Sequence, residues 1–177
     1  MAAYDFEGHI TDIPDYPEKG VVFKDITTLL KNPECFHAAI DEIADHFKDA
    51  GVTKVVGAEA RGFLIGAPVA YRLGAGFVPA RKPGKLPREV RTVSYALEYG
   101  TDELQMHTDA LDPDDAVLII DDLVATGGTA VAQAKLVAQF GCRLVGMGFL
   151  MELDFLHPRD AIAKVTDVDV FSLVHVE

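Results

Sequence analysis

An α/β fold, a parallel sheet flanked by helices, is what the sequence predicts, and three observations carry that expectation. Apolar runs of strand length alternate with helical patterns through the middle of the chain, as they do where strand, loop, helix and strand repeat. One of these runs, Val117-Leu118-Ile119-Ile120, is apolar on both faces, as a strand covered on both sides must be. Finally, 49% of the 177 residues are hydrophobic, enough to bury a substantial core.

The first clear helix follows Asn32-Pro33. Phe36, Ile40, Ile43, Ala44 and Phe47 recur at helical spacing, while Asp41, Glu42, Asp45 and Lys48 face away. Asn32 suits the cap, Pro33 the first turn, and Gly51 the end. A strand is predicted at Lys54-Val55-Val56-Gly57, followed by a small-residue turn over 58–62 and a helix from about Phe63 to Leu73. Gly74-Ala75-Gly76 stops that helix before a strand at Phe77-Val78-Pro79-Ala80. The strand at 117–120 leads through a loop to a helix from Gly128 to Phe140, and a further strand runs from Leu144 to Leu150. Residues 91–107 alternate as a hairpin, with Tyr95, Leu97 and Tyr99 on one face and a turn near Gly100-Thr101-Asp102. The chain ends, about 1–31 and 151–177, are expected to pack together as a cap over the sheet. No internal repeat or low-complexity linker interrupts a single domain over 1–177.

Composition narrows the function. No stretch approaches the roughly 20 apolar residues that span a bilayer. The start of the chain, Met1-Ala2-Ala3-Tyr4-Asp5, lacks the basic-then-apolar pattern of a secretory signal. Cys35 and Cys142 form no ligand cluster, and the six histidines (9, 37, 46, 107, 157, 175) show no metal-ligand spacing. A soluble, cytoplasmic protein is the expectation. The net charge of -12 argues against nucleic acid or anionic membrane as partners. Its distribution is uneven. Arg61, Arg72, Arg81, Lys82, Lys85, Arg88 and Arg91 stand against one acid, Glu89, so 61–91 carries +6 and the rest of the chain -18. Such an island is either a solvated surface or a local field for an anionic substrate.

The sharpest signal is the stretch Val117-Leu118-Ile119-Ile120-Asp121-Asp122-Leu123-Val124-Ala125-Thr126-Gly127-Gly128-Thr129. A buried strand delivers two carboxylates at its carboxyl end, where open α/β sheets hold their ligands. Glycines then allow close backbone approach, and the amides of a helix start favour an anion. Asp121 and Asp122 suit ribose hydroxyls or a hydrated Mg2+, and Thr126 and Thr129 add hydroxyl donors. Neither G-x-x-x-x-G-K-[ST] nor a G-x-G-x-x-G after a strand is present, which removes support for kinase-like and dinucleotide-binding chemistry.

Residues 117–129 resemble the phosphoribosyl pyrophosphate (PRPP) signature of type I phosphoribosyltransferases: four apolar residues, two acids, then Thr-Gly-Gly-Thr. Three further motifs resemble the adenine phosphoribosyltransferase family in the same order. Pro14-Asp15-Tyr16-Pro17 with Gly20-Val21-Val22-Phe23-Lys24-Asp25-Ile26 is similar to its hood, and Glu59-Ala60-Arg61-Gly62-Phe63 to its pyrophosphate loop. Arg81-Lys82-Pro83-Gly84-Lys85-Leu86-Pro87 and Ser94-Tyr95-Ala96-Leu97-Glu98-Tyr99-Gly100 are similar to its flexible loop. Two positions depart from the family pattern, Ala60 where Ser is frequent and Lys24 where Arg is common. Lys24 lacks a planar guanidinium, which weakens any role that needs one.

The resemblance implies a type I phosphoribosyltransferase (Rossmann-like) fold, with a hood from about 1–31 and 151–177 and a core over 32–150 whose flexible loop spans 81–107. It also implies conversion of adenine and PRPP to AMP and pyrophosphate, with Mg2+ carried by PRPP, in a homodimer. The 5'-phosphate would sit on Ala125, Thr126, Gly127, Gly128 and Thr129, and the ribose on Asp121 and Asp122. The pyrophosphate would meet Ala60, Arg61, Arg81, Lys82 and Lys85, and the purine Val22, Phe23 and Lys24. Glu98 would handle the proton at the purine imidazole nitrogens, and Tyr99 would order the closed loop or touch substrate. Glu152, after the last strand, is a weaker candidate for contact with the base. Two alternatives stay open on the residues: a phosphoribosyltransferase for hypoxanthine, guanine or xanthine, and a PRPP-sensing regulator without catalysis.

Overall fold

The computed structural model describes residues 4–96 and 101–177. Thr11–Pro14 (β1) and Val22–Asp25 (β2) form an antiparallel ribbon in which Ile13 lies opposite Phe23 and Asp12 opposite Lys24. One turn of helix, Thr27–Leu30 (α1), leads to Pro33–Phe47 (α2). The Asn32 side chain caps α2, accepting from the amides of Glu34 at 3.1 Å and Cys35 at 3.2 Å. The buried stripe of α2 is Cys35, Ala39, Ile40, Ile43, Ala44 and Phe47, so Cys35 takes the inward place expected of Phe36.

Lys54–Ala58 (β3), Arg61–Leu73 (α3) and Gly76–Ala80 (β4) follow. Val90–Ala96 (β5) and Thr101–His107 (β6) pair as the expected hairpin. Thr101 and Asp102, expected in its turn, are strand residues opposite Ala96 and Tyr95. Ala116–Val124 (β7), Gly128–Ala138 (α4), Arg143–Leu153 (β8), Pro158–Ile162 (α5) and Asp169–Val176 (β9) complete the order.

The main sheet runs β4-β3-β7-β8-β9, every neighbouring pair parallel. Alternation along β7 divides the core. Val117 and Ile119 join Met147, Phe149 and the inner residues of α4, with Val93, Leu104 and Met106 of the hairpin. Leu118 and Ile120 face the other way, into the packing of α2 and α3. Each such fully buried side chain contributes about 1.5–3 kcal/mol of transfer free energy, which holds β7 as the rigid centre of the sheet.

The main departure from expectation is β9. Residues 169–176 were expected in the cap, but they form the fifth strand of the sheet, beside β8. The N-terminal segment does reach the last strand, since Phe6 and Ile26 share a cluster with Val174 and Met151. Among the described residues, no helix is long and apolar enough to cross a membrane.

Candidate active site

The carboxyl ends of β3 and β7 open into a cavity of about 420 Å3. β7 brings Asp121 and Asp122 to its rim, and the loop Ala125–Thr129 carries the chain on into α4. Gly127 stands at the start of α4 with φ 83°, a left-handed conformation that lets the loop turn back over its own helix. Among the described residues no side chain caps that helix, so the amides of its first turn, on the cavity lining, are left free to bind an anion.

The two acids differ. Asp121 is buried; its Oδ1 accepts from the Asp122 amide at 2.9 Å and its Oδ2 from Gln133 Nε2 at 3.1 Å. α3 starts hard against it, since a Cβ on Gly62 would stand 2.6 Å from Asp121 Oδ1. Asp122 Oδ2 lies 3.0 Å from Arg61 Nε, a charge contact not aligned as a hydrogen bond, so among the described residues this oxygen has no hydrogen-bond partner. Arg61 also places its guanidinium carbon 5.3 Å from the centre of the Phe23 ring. One arginine therefore links the acid pair to the β1–β2 ribbon, through a cation–π contact and an ion pair.

The opposite wall is built by Glu59 and the hairpin. Glu59 Oε2 accepts from the Lys82 amide at 2.7 Å and from Arg81 Nε at 3.2 Å. Lys82 Nζ stands 2.9 Å from Asp102 Oδ2, and the Tyr95 hydroxyl donates to that same oxygen at 3.3 Å.

Comparison with known proteins shows the family. Residues 25–174 match the family model described as the phosphoribosyl transferase domain. The adenine phosphoribosyltransferase of Aeromonas salmonicida is 54% identical over 170 residues, covering 96% of this chain and 93% of its own. The crystal structure of adenine phosphoribosyltransferase from Thermoanaerobacter pseudethanolicus superposes with a TM-score of 0.91 at 47% identity, covering 97% of this chain and 98% of that one. That of the Giardia lamblia enzyme, complexed with 9-deazaadenine, gives 0.93 at 37% identity, covering 100% and 99%. The chain belongs to the adenine phosphoribosyltransferase family.

Of the residues singled out from the sequence, Ala60, Arg61, Lys82, Asp121, Asp122 and Ala125–Thr129 line the one cavity together. Phe23 lies beside them through Arg61, while Val22 is exposed on the ribbon and the Lys24 ammonium turns to Asp12 at 2.7 Å. Arg81 and Lys85 do not line the cavity. Arg81 points to Glu59 and to the Phe63 ring, 6.0 Å away, and Lys85 is exposed. Glu98 and Tyr99 lie outside the described residues. Glu152 does not reach the cavity, because both its oxygens are taken by Arg159 and Ser172. Sequence reasoning assigned no role to Glu59, Tyr95, Asp102 or Leu123, all of which line the cavity. Glu59 and Tyr95 stood inside quoted motifs and Leu123 directly follows the acid pair, so local position signalled those three.

Burial pushes the Asp121 carboxyl well above the ordinary aspartate range, and the neighbouring Asp122 charge adds to this. Burial also raises Asp122, opposed by the Arg61 charge. A raised native pKa means that ionising Asp121 works against folding. Its stabilising proton is fully present below the unfolded value of 3.8 and lost as pH rises through the native one. Asp121→Asn is therefore expected to gain stability relative to wild type as pH rises, its amide donating to Gln133 Oε1, which has no partner among the described residues. Thermal melts from pH 5 to 9 check this; parallel wild-type and variant curves would refute it.

Proposed function

We propose that the chain transfers the phosphoribosyl group of PRPP to adenine, releasing pyrophosphate and forming AMP. The observation that carries this reading is the arrangement around Arg61: an acid pair and an aromatic ribbon meet at that side chain, and the uncapped start of α4 lines the same cavity. In this reading the amides of Gly128 and Thr129, with the Thr126 and Thr129 hydroxyls, hold the 5'-phosphate. Asp121 and Asp122 accept the two ribose hydroxyls. Pyrophosphate lies over the Ala60–Arg61 backbone, with Arg61 and Lys82 as cations. Phe23 stacks on the purine, the main chain of Val22 and Lys24 reads its polar edge, and Leu123 supplies apolar surface. The C1'–O bond to pyrophosphate breaks as the C1'–N9 bond forms, and Glu98 takes the N9 proton, with Tyr99 ordering the loop over it. Fixed dipoles aimed at a cationic sugar and an anionic leaving group are each worth several kcal/mol in a closed site.

Mg2+ fits the donor set. The cavity is lined by four carboxylates, Glu59, Asp102, Asp121 and Asp122, against two cations, Arg61 and Lys82, so a polyanion enters with countercharge of its own. Bound on pyrophosphate oxygens, Mg2+ would neutralise the leaving group, with Asp121 and Asp122 holding its shell through ribose hydroxyls or water.

The reading includes a homodimer and a cytoplasmic setting. On α3, Leu64 and Tyr71 are two turns apart, 49% and 89% exposed, an apolar stripe suited to a second copy. Arg81 and Lys85, turned out of this chain's own cavity, would then serve near the interface. Two unbridged cysteines, Cys35 and Cys142, suit a reducing compartment.

The test is a base panel with PRPP and Mg2+, offering adenine, hypoxanthine, guanine and xanthine separately. AMP formation from adenine alone is expected. Turnover of an oxopurine would keep the PRPP site and overturn the base pocket. PRPP binding without turnover of any base would favour a regulator.

A further inference from the structure

Lys82, Asp102 and Tyr95 form a connected chain on the wall of the cavity. Asp102 Oδ2 holds the Lys82 ammonium at 2.9 Å and accepts from the Tyr95 hydroxyl at 3.3 Å. Asp102 Oδ1 accepts from the Glu103 amide at 2.8 Å, which fixes the carboxylate on β6. The Lys82 backbone is pinned independently, its amide held by Glu59. Only the Lys82 side chain is therefore left to move. Its partner Asp102 sits where the hairpin leaves β5 for 97–100, the stretch that includes Glu98.

An ammonium cannot serve a carboxylate and an incoming diphosphate equally well. We propose that Asp102 is a positioning residue that parks Lys82, and that the diphosphate group must take Lys82 from Asp102 as it binds. This rests on the reading above that Lys82 meets pyrophosphate. Asp102 then opposes pyrophosphate binding while keeping the ammonium charged and in place, and it speeds release of that product by reclaiming Lys82.

The prediction has an unusual sign. Asp102→Asn keeps the acceptor for Glu103 but removes the charge that holds Lys82, so Mg2+-pyrophosphate should bind about threefold more tightly, the size of a partly exposed ion pair. Ribose 5-phosphate, which does not use Lys82, should bind unchanged, and Asp102→Glu should return pyrophosphate affinity toward wild type. In a Lys82→Gln background the Asp102→Asn effect should vanish. Calorimetric titration reads all four, with Asp102→Ser as a second variant and thermal melts as a check of folding. Unchanged or weaker pyrophosphate binding by Asp102→Asn would overturn the proposal, as would the same tightening without Lys82, which would signify only the removal of a nearby charge. Failure of Lys82→Gln itself to weaken pyrophosphate would overturn the leaving-group reading of Lys82 and the proposal with it, an outcome distinct from the other two.

Discussion

Gly127→Ala is expected to lower kcat/KM for PRPP about 100-fold. A methyl group at 127 meets two penalties of the same sign. The backbone there has φ 83°, and holding an L-residue left-handed costs about 1–2 kcal/mol. The added Cβ would also stand 2.8 Å from the Pro158 carbonyl oxygen and 3.1 Å from the Ala161 Cβ, both on α5. Neither neighbour is a flexible side-chain end, so the overlap is relieved only by moving the loop or α5, at about 1–3 kcal/mol. In the proposed function the loop holds amides at fixed distances from a phosphate, and a displacement of about 1 Å is enough for a 100-fold loss. Gly141→Ala separates the two penalties. Its φ is 72°, yet nothing lies within 4 Å of its Cβ, so it should lose stability to backbone strain and keep its activity. Steady-state kinetics with PRPP varied, alongside thermal melts, measures both. A Gly127→Ala enzyme within threefold of wild type would mean that the close approach of α5 does not set the loop.

The reach of sequence reasoning here follows the range of the interactions. β7 was legible because burial on both faces writes itself into consecutive residues, and Val117 and Ile119 do part from Leu118 and Ile120 into two cores. The acid pair and phosphate loop were legible because their parts lie within a few residues of one another. β9 was not. It is an edge strand carrying Asp169, Ser172 and His175, and Ser172 is tolerated inside because it donates to Glu152, 20 residues back in the chain, at 2.6 Å. Asp102 read as a turn residue for a similar reason, since its partner Lys82 stands far back in the chain, just after β4. The basic island left a solvated surface and an anion field both open, and charge alone cannot show that Arg81 is engaged by Glu59.

Glu152→Ala is expected to destabilise the protein by about 2–3 kcal/mol, and through α5 to loosen the phosphate loop. The Glu152 carboxylate is only 2% exposed. Arg159 donates Nε to Oε1 at 2.9 Å and Nη2 to Oε2 at 2.8 Å, and the Ser172 hydroxyl donates at 2.6 Å. Burial alone would raise this carboxyl, but the bonds from Arg159 and Ser172 and the Arg159 charge outweigh it and hold the pKa below the ordinary glutamate range. The contribution is therefore present above the unfolded value of 4.5 and lost as pH falls through the native one. Breaking one side of a buried pair typically costs about 3–5 kcal/mol, reduced here because Arg159 is half exposed and can return to water. The consequence at the site follows from position. Arg159 belongs to α5, the helix whose Pro158 and Ala161 form the wall behind Gly127. Losing Glu152 removes the anchor of that wall, so the variant should need more PRPP for half-maximal rate as well as melt earlier. Removing Arg159 as well leaves only the Ser172 hydroxyl without its partner, so the double variant should lose less than the two single losses added. Denaturant unfolding of the three variants at pH 7 and pH 4 decides it. An additive double variant, or a Glu152→Ala protein with wild-type PRPP dependence, would detach the clamp from the loop and leave Glu152 a purely structural ion pair.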